Sequence, residues 1–456
     1  MYTSAQSSTA THSKSLDADT KKTMKNVVAG SLFGTALETY DIYLYGTAAA
    51  LIFAPLFFPG SDESVSRLLA LASFAISFIA RPHGALVLGH FGDRIGRKKL
   101  LYLTLIMMGL STVAIGLLPT YASIGIWAPL ILCSLRFIQG FSFAGEYSGA
   151  VLMLLEHAPR RARGFYSALN NIGPVFGFIA SAGMLLIVSA TTTTEAFHSW
   201  GWRIPFVASL ALLIIGVFIR AKVPESPVFE HAASQRHNQS APPQAPAFQL
   251  ITRYPKQLLL VAGANICHFS TFYLFTVFSL SYGQKELGLS NSFILSIVMT
   301  AMCTHLLTVP LAGLMADKLG RRATLLIGFA VTALSAFPFW HLYSSADFSQ
   351  MLAGASMLMV GYGLVFGAIP SFTGEAFGPS ARFTGFAMAT NIGGIIGGGT
   401  APIIGAYLLS HFGSPYYIAS YMVLLALFSA GCTYMCVETK DFDITSESLI
   451  KASAPG

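Results

Sequence analysis

Gly89-His-Phe-Gly-Asp93-Arg94-Ile-Gly96-Arg97-Lys98 returns later in the chain as Gly313-Leu-Met-Ala-Asp317-Lys318-Leu-Gly320-Arg321-Arg322. Each copy reads as a Gly, an acid four residues on, a base, a second Gly and two more bases. The echo extends outward. Glu156 leads Arg163 by seven residues, and Glu375 leads Arg382 by seven. Asn171-Ile-Gly173 follows the first pair and Asn391-Ile-Gly393 the second. Self-similarity at this spacing marks two copies of one structural unit.

Composition says what kind of unit. Of 456 residues, 54% are hydrophobic and 10% charged, whereas a soluble domain carries roughly 25% charged residues. A soluble chain of this length would need far more polar surface, so the sequence reads as a polytopic helical membrane protein. A helix needs about 20 apolar residues to cross a bilayer, and twelve runs qualify: 27–53, 66–90, 100–118, 128–154, 164–189, 203–220, 257–282, 291–316, 323–343, 350–372, 384–410 and 415–436. These group into a polar N-terminal tail (1–26), a six-helix bundle (27–220), a polar central loop (221–256), a second six-helix bundle (257–436) and a polar C-terminal tail (437–456). Residues 1–26 have no apolar core, which excludes a signal peptide.

With the N-terminus in the cytoplasm, 22 of the 27 Lys and Arg fall in cytoplasmic segments, three in outer loops and two (Arg81, Arg136) in spans. That bias places both termini in the cytoplasm. The net charge of +7 is spread over short inter-span clusters, so it argues for topology and against a nucleic-acid partner. The five Cys lie in apolar runs with no disulfide or metal spacing and read as small apolar fillers. No GxxxxGK[ST], GxSxG or HExxH pattern occurs, so nucleotide-driven transport, hydrolysis and metal catalysis have no support.

The repeated loop G-x-x-x-D-R/K-x-G-R-R/K between spans two and three and between eight and nine resembles the signature loop of the major facilitator superfamily. Gly34-Thr-Ala-Leu-Glu38-Thr-Tyr40-Asp41, Arg81-Pro82, Arg136-Phe-Ile-Gln139-Gly140 and Gly145-Glu146-Tyr-Ser-Gly149 are similar to the bacterial metabolite:proton symporters. That group carries shikimate, α-ketoglutarate, citrate and proline/betaine. Thr39, Ala144 and Tyr147 depart from its usual residues. The resemblance implies an all-α membrane fold of twelve helices in two pseudo-symmetric halves, no cofactor, no enzymatic activity, and transport driven by a proton gradient in a bacterial inner membrane. It also implies that Asp93, Arg94, Arg97, Glu156 and Arg163, with Asp317, Arg321, Arg322, Glu375 and Arg382, form inter-helix ion pairs closing a cytoplasmic gate.

Charged residues inside spans are costly and are functional candidates by default. Glu38 and Asp41 lie roughly 18–22 Å deep at 1.5 Å per residue and, being three apart, share a helix face. Glu146, Arg81 and Arg136 reach similar depths from their own loops. Three acids against two bases leave one negative charge, which one proton neutralises. Glu38, Asp41 and Glu146 are therefore the expected proton-coupling acids. Arg136 has the planar fork that suits a substrate carboxylate, and Arg81 is either a second anchor or a partner of Asp41. Tyr40, Gln139, Asn171, Asn265, His268, Tyr273, His305 and Asn391 complete the expected substrate site, with spans seven to twelve supplying shape and polarity but no charge. Gly140, Gly145 and Gly149 let span four pack closely. The Gly-rich run Asn391–Gly399 before Pro402 predicts a bent or unwound span eleven. The expected function is symport of protons with a small polar organic solute, most simply an organic acid, by a monomer in the lipid bilayer. A proton-coupled exporter of drugs or aromatic compounds and an osmolyte symporter are the alternatives.

Overall fold

In a hydrocarbon environment a long apolar run can satisfy its backbone only as a helix or in a closed barrel. The computed structural model describes residues 4–60, 63–230 and 246–444, and no strand occurs among them. Ten helical stretches are long and apolar enough to cross a membrane: Arg97–Leu117, Trp127–His157, Arg160–Leu185, Phe197–Ala221, Pro255–Lys285, Ser292–Leu319, Arg321–Tyr343, Phe348–Glu375, Arg382–Phe412 and Tyr416–Met435. They are spans three to twelve. Helices Ser4–Leu51 and Glu63–Ile95 are spans one and two. The expected runs are thus met to within a few residues, with two differences. Span one starts at Ser4, so most of the segment read as a polar tail is helical. The central loop holds a short amphipathic helix, Pro246–Arg253. The expected loop residues 231–245 and tail residues 445–456 lie outside the described residues.

The repeated motif punctuates both halves in the same way. Gly96 (φ 106°) breaks span two from span three, and Gly320 (φ 105°) breaks span eight from span nine. A side chain at that φ is strained, and a Cβ at either position would run into the carboxylate of Glu225 or Glu438 respectively. Span eleven carries a π-helical turn at Ile395–Gly399, the distortion its glycines predict, and span seven has another at Leu274–Phe278.

Each half has an aromatic core near the ends of its spans remote from these loops. Tyr45, Phe53, Phe57, Trp202 and Phe206 form one, and Phe275, Phe278, Phe339, Trp340 and Tyr343 the other. Leu307, Leu334, Ile403 and Phe218 are among the large apolar side chains left exposed, as on a surface that faces lipid. Spans two and four come close enough that a Cβ on Gly140 would lie 2.6 Å from Cα of Ser77. The halves meet where span two crosses span eleven and span five crosses span eight.

Candidate functional site

Glu146 and Arg220 form a buried ion pair. Arg220 also donates to the carbonyl of Leu101 at 2.6 Å and to Oε2 of Glu146 at 2.9 Å, and Thr104 donates its hydroxyl to that oxygen at 2.8 Å. Gly34 makes room for the pair, since a Cβ there would meet both side chains. Glu146 was expected among the proton-coupling acids. Both of its oxygens accept from Arg220, and one also from the Thr104 hydroxyl. Arg220, the last base of span six, reads as a topological charge in the sequence and proves to be a sixth buried charge beside Glu38, Asp41, Glu146, Arg81 and Arg136. The formal count becomes three acids against three bases.

Asp41 and Arg136 are joined through two neutral side chains. Thr112 donates to Oδ2 of Asp41 at 2.7 Å, Gln139 Nε2 donates to Thr112 Oγ1 at 2.7 Å, and Arg136 Nη1 donates to Gln139 Oε1 at 2.7 Å. Arg136 also lies over the Tyr45 ring, 3.9 Å from its centroid. Both ends of the Gln139 amide bond inside the protein, so it links Arg136 to Thr112. Oδ1 of Asp41 and Oε2 of Glu38 are buried without a hydrogen-bond partner. Arg81 makes no ion pair with Asp41. It is held between the rings of Phe78 and Phe143, 4.1 and 3.8 Å from their centroids, as a cation on aromatic faces.

The second half brings aromatic and imidazole groups up to this cluster. Tyr273 packs edge-on against Phe78 at 5.9 Å, bridging the halves. His268 lies against Phe269 and Phe366, and His305 against Tyr362, with Nδ1 of His268 and Nε2 of His305 unpartnered. Asn171 donates across the halves to the carbonyl of Phe366 at 2.6 Å. Pro370 lacks the N–H that would otherwise bond that carbonyl, and Asn171 fills the gap. Three expected substrate contacts are spent elsewhere. Tyr40 ties span one to span six through the carbonyl of Pro205 at 2.7 Å. Asn265 and Asn391 fold back on their own helices, onto Val261 and Ala387, at 2.8 Å each.

The repeated loops form a rim that crosses between the halves. Asp93 accepts from the amides of Phe383 (3.2 Å) and Thr384 (3.1 Å) and from the Thr384 hydroxyl (2.9 Å), capping the start of span eleven. Asp317 accepts from the amides of Gly164 and Phe165, both at 2.8 Å, at the start of span five. Each acid is braced by the arginine four residues on, Arg97 at 3.0 Å and Arg321 at 3.2 Å. Glu156 pairs with Arg97 at 3.5 Å and, across the halves, with Arg382 at 3.3 Å. Its counterpart Glu375 pairs only within its half, through Arg321 at 2.9 Å and the Thr439 hydroxyl at 2.7 Å. Arg163 donates instead to the carbonyl of Phe442 at 3.3 Å, and Arg382 to that of Ile444. Two expected members stand apart. Arg94 is exposed with no ion pair among the described residues, and Arg322 lies over Tyr434 of its own half, 5.1 Å from the centroid.

Residues 27–242 match the family model "Sugar (and other) transporter", and residues 260–441 match "Major Facilitator Superfamily". The inner membrane metabolite transport protein YhjE of Escherichia coli K12 is 40% identical over 85% of this chain and 88% of its own. The shikimate transporter of the same organism is 37% identical over 89% and 93%, and its proline/betaine transporter 34% over 90% and 82%. The chain belongs to the major facilitator superfamily. Its fold overlays the proton:xylose symporter XylE bound to 6-bromo-6-deoxy-D-glucose with a TM-score of 0.77 at 17% identity, covering 95% of this chain and 99% of that one. Like its superfamily relatives, the protein is a membrane transporter and not an enzyme.

Sequence reasoning missed several residues of this facilitator site. Arg220, Thr104 and Thr112 lie in or beside apolar runs and reveal themselves only through their partners. Glu225 and Glu438 cap spans three and nine, accepting from the amides of Arg97 (2.9 Å) and Lys98 (3.2 Å) and from those of Arg321 and Arg322 (both 2.9 Å). A signal for these was present: Glu225-Ser226 and Glu438-Thr439 follow spans six and twelve, a third echo between the halves. Ser226 and Thr439 hydroxyls reach Glu156 and Glu375 in the same way.

Proposed function

We propose that the protein is a proton-coupled symporter that imports a small organic acid by alternating access across a bacterial inner membrane. The observation that carries this reading is the pair of buried carboxylates on span one, Glu38 and Asp41, each with an oxygen that no protein group satisfies. An acid can change charge in a membrane interior only if it is not locked into an ion pair, and neither Glu38 nor Asp41 makes one among the described residues. Asp41 is the coupling acid and Glu38 its neighbour. Arg81, stacked on Phe78 beside Tyr273, holds the substrate carboxylate. His268, His305 and Asn171 offer hydrogen bonds to its polar groups. The rim of repeated loops is the cytoplasmic gate, drawn here closed, and the excess of Lys and Arg on that side supports the orientation. The names of the relatives, one a shikimate carrier and one a metabolite carrier of an inner membrane, support the solute class and location.

The aromatic surfaces of Phe78, Tyr273 and Tyr362 favour a second reading, an osmolyte symporter for betaine or proline, because a quaternary ammonium is attracted to ring faces. One experiment separates the two. Proteoliposomes are tested for uphill uptake of labelled shikimate, α-ketoglutarate, citrate, proline, betaine and an aromatic acid under an imposed proton gradient. Uptake of an acid and not of betaine is expected. Asp41→Asn should abolish accumulation against a gradient while leaving exchange of internal for external solute. Undiminished uphill accumulation by Asp41→Asn would remove Asp41 from the coupling site.

A further inference from the structure

Thr112 is buried, and its hydroxyl sits among three partners. It lies 2.7 Å from Oδ2 of Asp41, 3.1 Å from the carbonyl of Met108, and 2.7 Å from Nε2 of Gln139. A hydroxyl has one proton to donate and two lone pairs to accept with. The Gln139 amide can only donate, and it is held in that sense because its oxygen accepts from Arg136. The hydroxyl proton therefore has two destinations. When Asp41 is ionised it accepts from Thr112. When Asp41 carries a proton on Oδ2, its O–H points at the Thr112 oxygen, and the threonine proton must turn to the Met108 carbonyl. In both arrangements each of the four groups keeps a hydrogen bond within the set or its own helix, and Gln139 stays in place.

We propose that Thr112 is a positioning residue for proton coupling, a hydroxyl rotor that lets Asp41 gain or lose its proton without stranding a buried hydrogen bond while the Gln139–Arg136 link stays fixed. The inference rests on the reading of Asp41 as the proton-binding acid. It concerns a neutral side chain that touches neither solute nor gate, on a span with no buried charge of its own at this depth. Other groups that act on Asp41 are Glu38 and Tyr40 of its own span, Arg136 of span four and, through Glu38, Arg81 of span two. Spans five and six bring no unpaired charge here. Arg220 is engaged by Glu146, and Arg203 is bound to the carbonyls of Gly116 and Leu118. None of these groups is bonded to Thr112 itself; Arg136 is linked to it through Gln139, a link that serine keeps, so a shift in Thr112→Val that Thr112→Ser reverses reports the hydroxyl.

The test needs no solute. The purified full-length protein in lipid is titrated with acid and followed by infrared difference spectroscopy, with the protonated-carboxyl band of Asp41 identified by its loss in Asp41→Asn. Thr112→Val keeps the shape and removes the hydroxyl. A hydrogen bond to an ionised acceptor is about twice as strong as a neutral one, so the ionised form of Asp41 loses more. The midpoint of the band is expected to move alkaline by about half a pH unit or more, about a threefold gain in proton affinity. Thr112→Ser, which keeps the rotor, should return it to the wild-type value. If Thr112→Val does not fold, Thr112→Ala is read in its place. A band that titrates identically in wild type and Thr112→Val overturns the rotor and leaves Asp41 as the coupling acid. Absence of any Asp41-dependent band from acid to alkaline pH overturns the coupling assignment itself, and the rotor with it.

Discussion

Arg220 and Glu146 form a buried ion pair between spans six and four, with no second carboxylate on Arg220 among the described residues. Removing one partner of a buried pair leaves an uncompensated charge and costs about 3–5 kcal/mol, whereas replacing both with apolar groups of similar volume is often neutral. Glu146→Gln is therefore expected to lower thermal stability by several kcal/mol, and Glu146→Leu with Arg220→Met to restore most of it. Unfolding of the purified variants in detergent measures both. The double variant should still show solute-dependent proton uptake, since the coupling acids lie on span one. A stable double variant without proton uptake would return Glu146 to the coupling site. At this scale the sequence was a partial guide. The depth of Glu38, Asp41 and Arg136 was legible, because an acid or base inside an apolar run is visible on the page. Who pairs with whom was not, because the partners come from other helices at rotations the linear order does not state. Arg220 and Thr112 were hidden for that reason.

Between helices, small residues set how closely backbones approach. Gly140 faces the Ser77 backbone, with the hypothetical Cβ 2.6 Å from its Cα and 2.7 Å from its carbonyl carbon. Backbone cannot step aside as a side chain can, so Gly140→Ala should push spans two and four apart and sharply reduce the yield of monodisperse protein on size exclusion. Gly149→Ala meets the Leu101 side chain, which can turn away, and should be nearly silent. Equal behaviour of the two variants would mean that the crossing of spans two and four tolerates more separation than its geometry implies. The positions of the spans, the repeat and the distortion of span eleven could all be read from period, length and glycine spacing. The helix at Pro246–Arg253 and the early start of span one could not, since the first lies in a polar loop and the second in a segment without an apolar stripe.

Across the whole molecule, two acids carry the join on the loop side, each holding the first turn of a helix in the opposite half. A carboxylate near a helix N-terminus contributes roughly 0.3–1 kcal/mol, and up to about 2 kcal/mol when partly buried. Asp93→Asn removes that charge from the start of span eleven and loosens a contact of three hydrogen bonds. It should bias the carrier toward opening at this rim. Asp317→Asn, with two such bonds, should do so less. Maleimide labelling of single cysteines placed in each vestibule, in a background lacking Cys303 and its fellows, reads the shift. Wild-type labelling at both vestibules in Asp93→Asn would mean the acid closes nothing. Glu156 and Arg382 add an ion pair across the halves, and the segment beyond span twelve adds more: Phe442 offers its carbonyl across the join to Arg163, Ile444 offers its own to Arg382, and Glu438 caps span nine. The seal therefore depends on a stretch of chain that crosses nothing. Severed just after span twelve, the carrier would keep all its helices, yet Arg163 and Arg382 would each lose an acceptor and span nine its cap. The rim would then be held by Asp93, Asp317 and the Glu156–Arg382 pair, and a single proteolytic nick would turn a tight carrier into a leaky one.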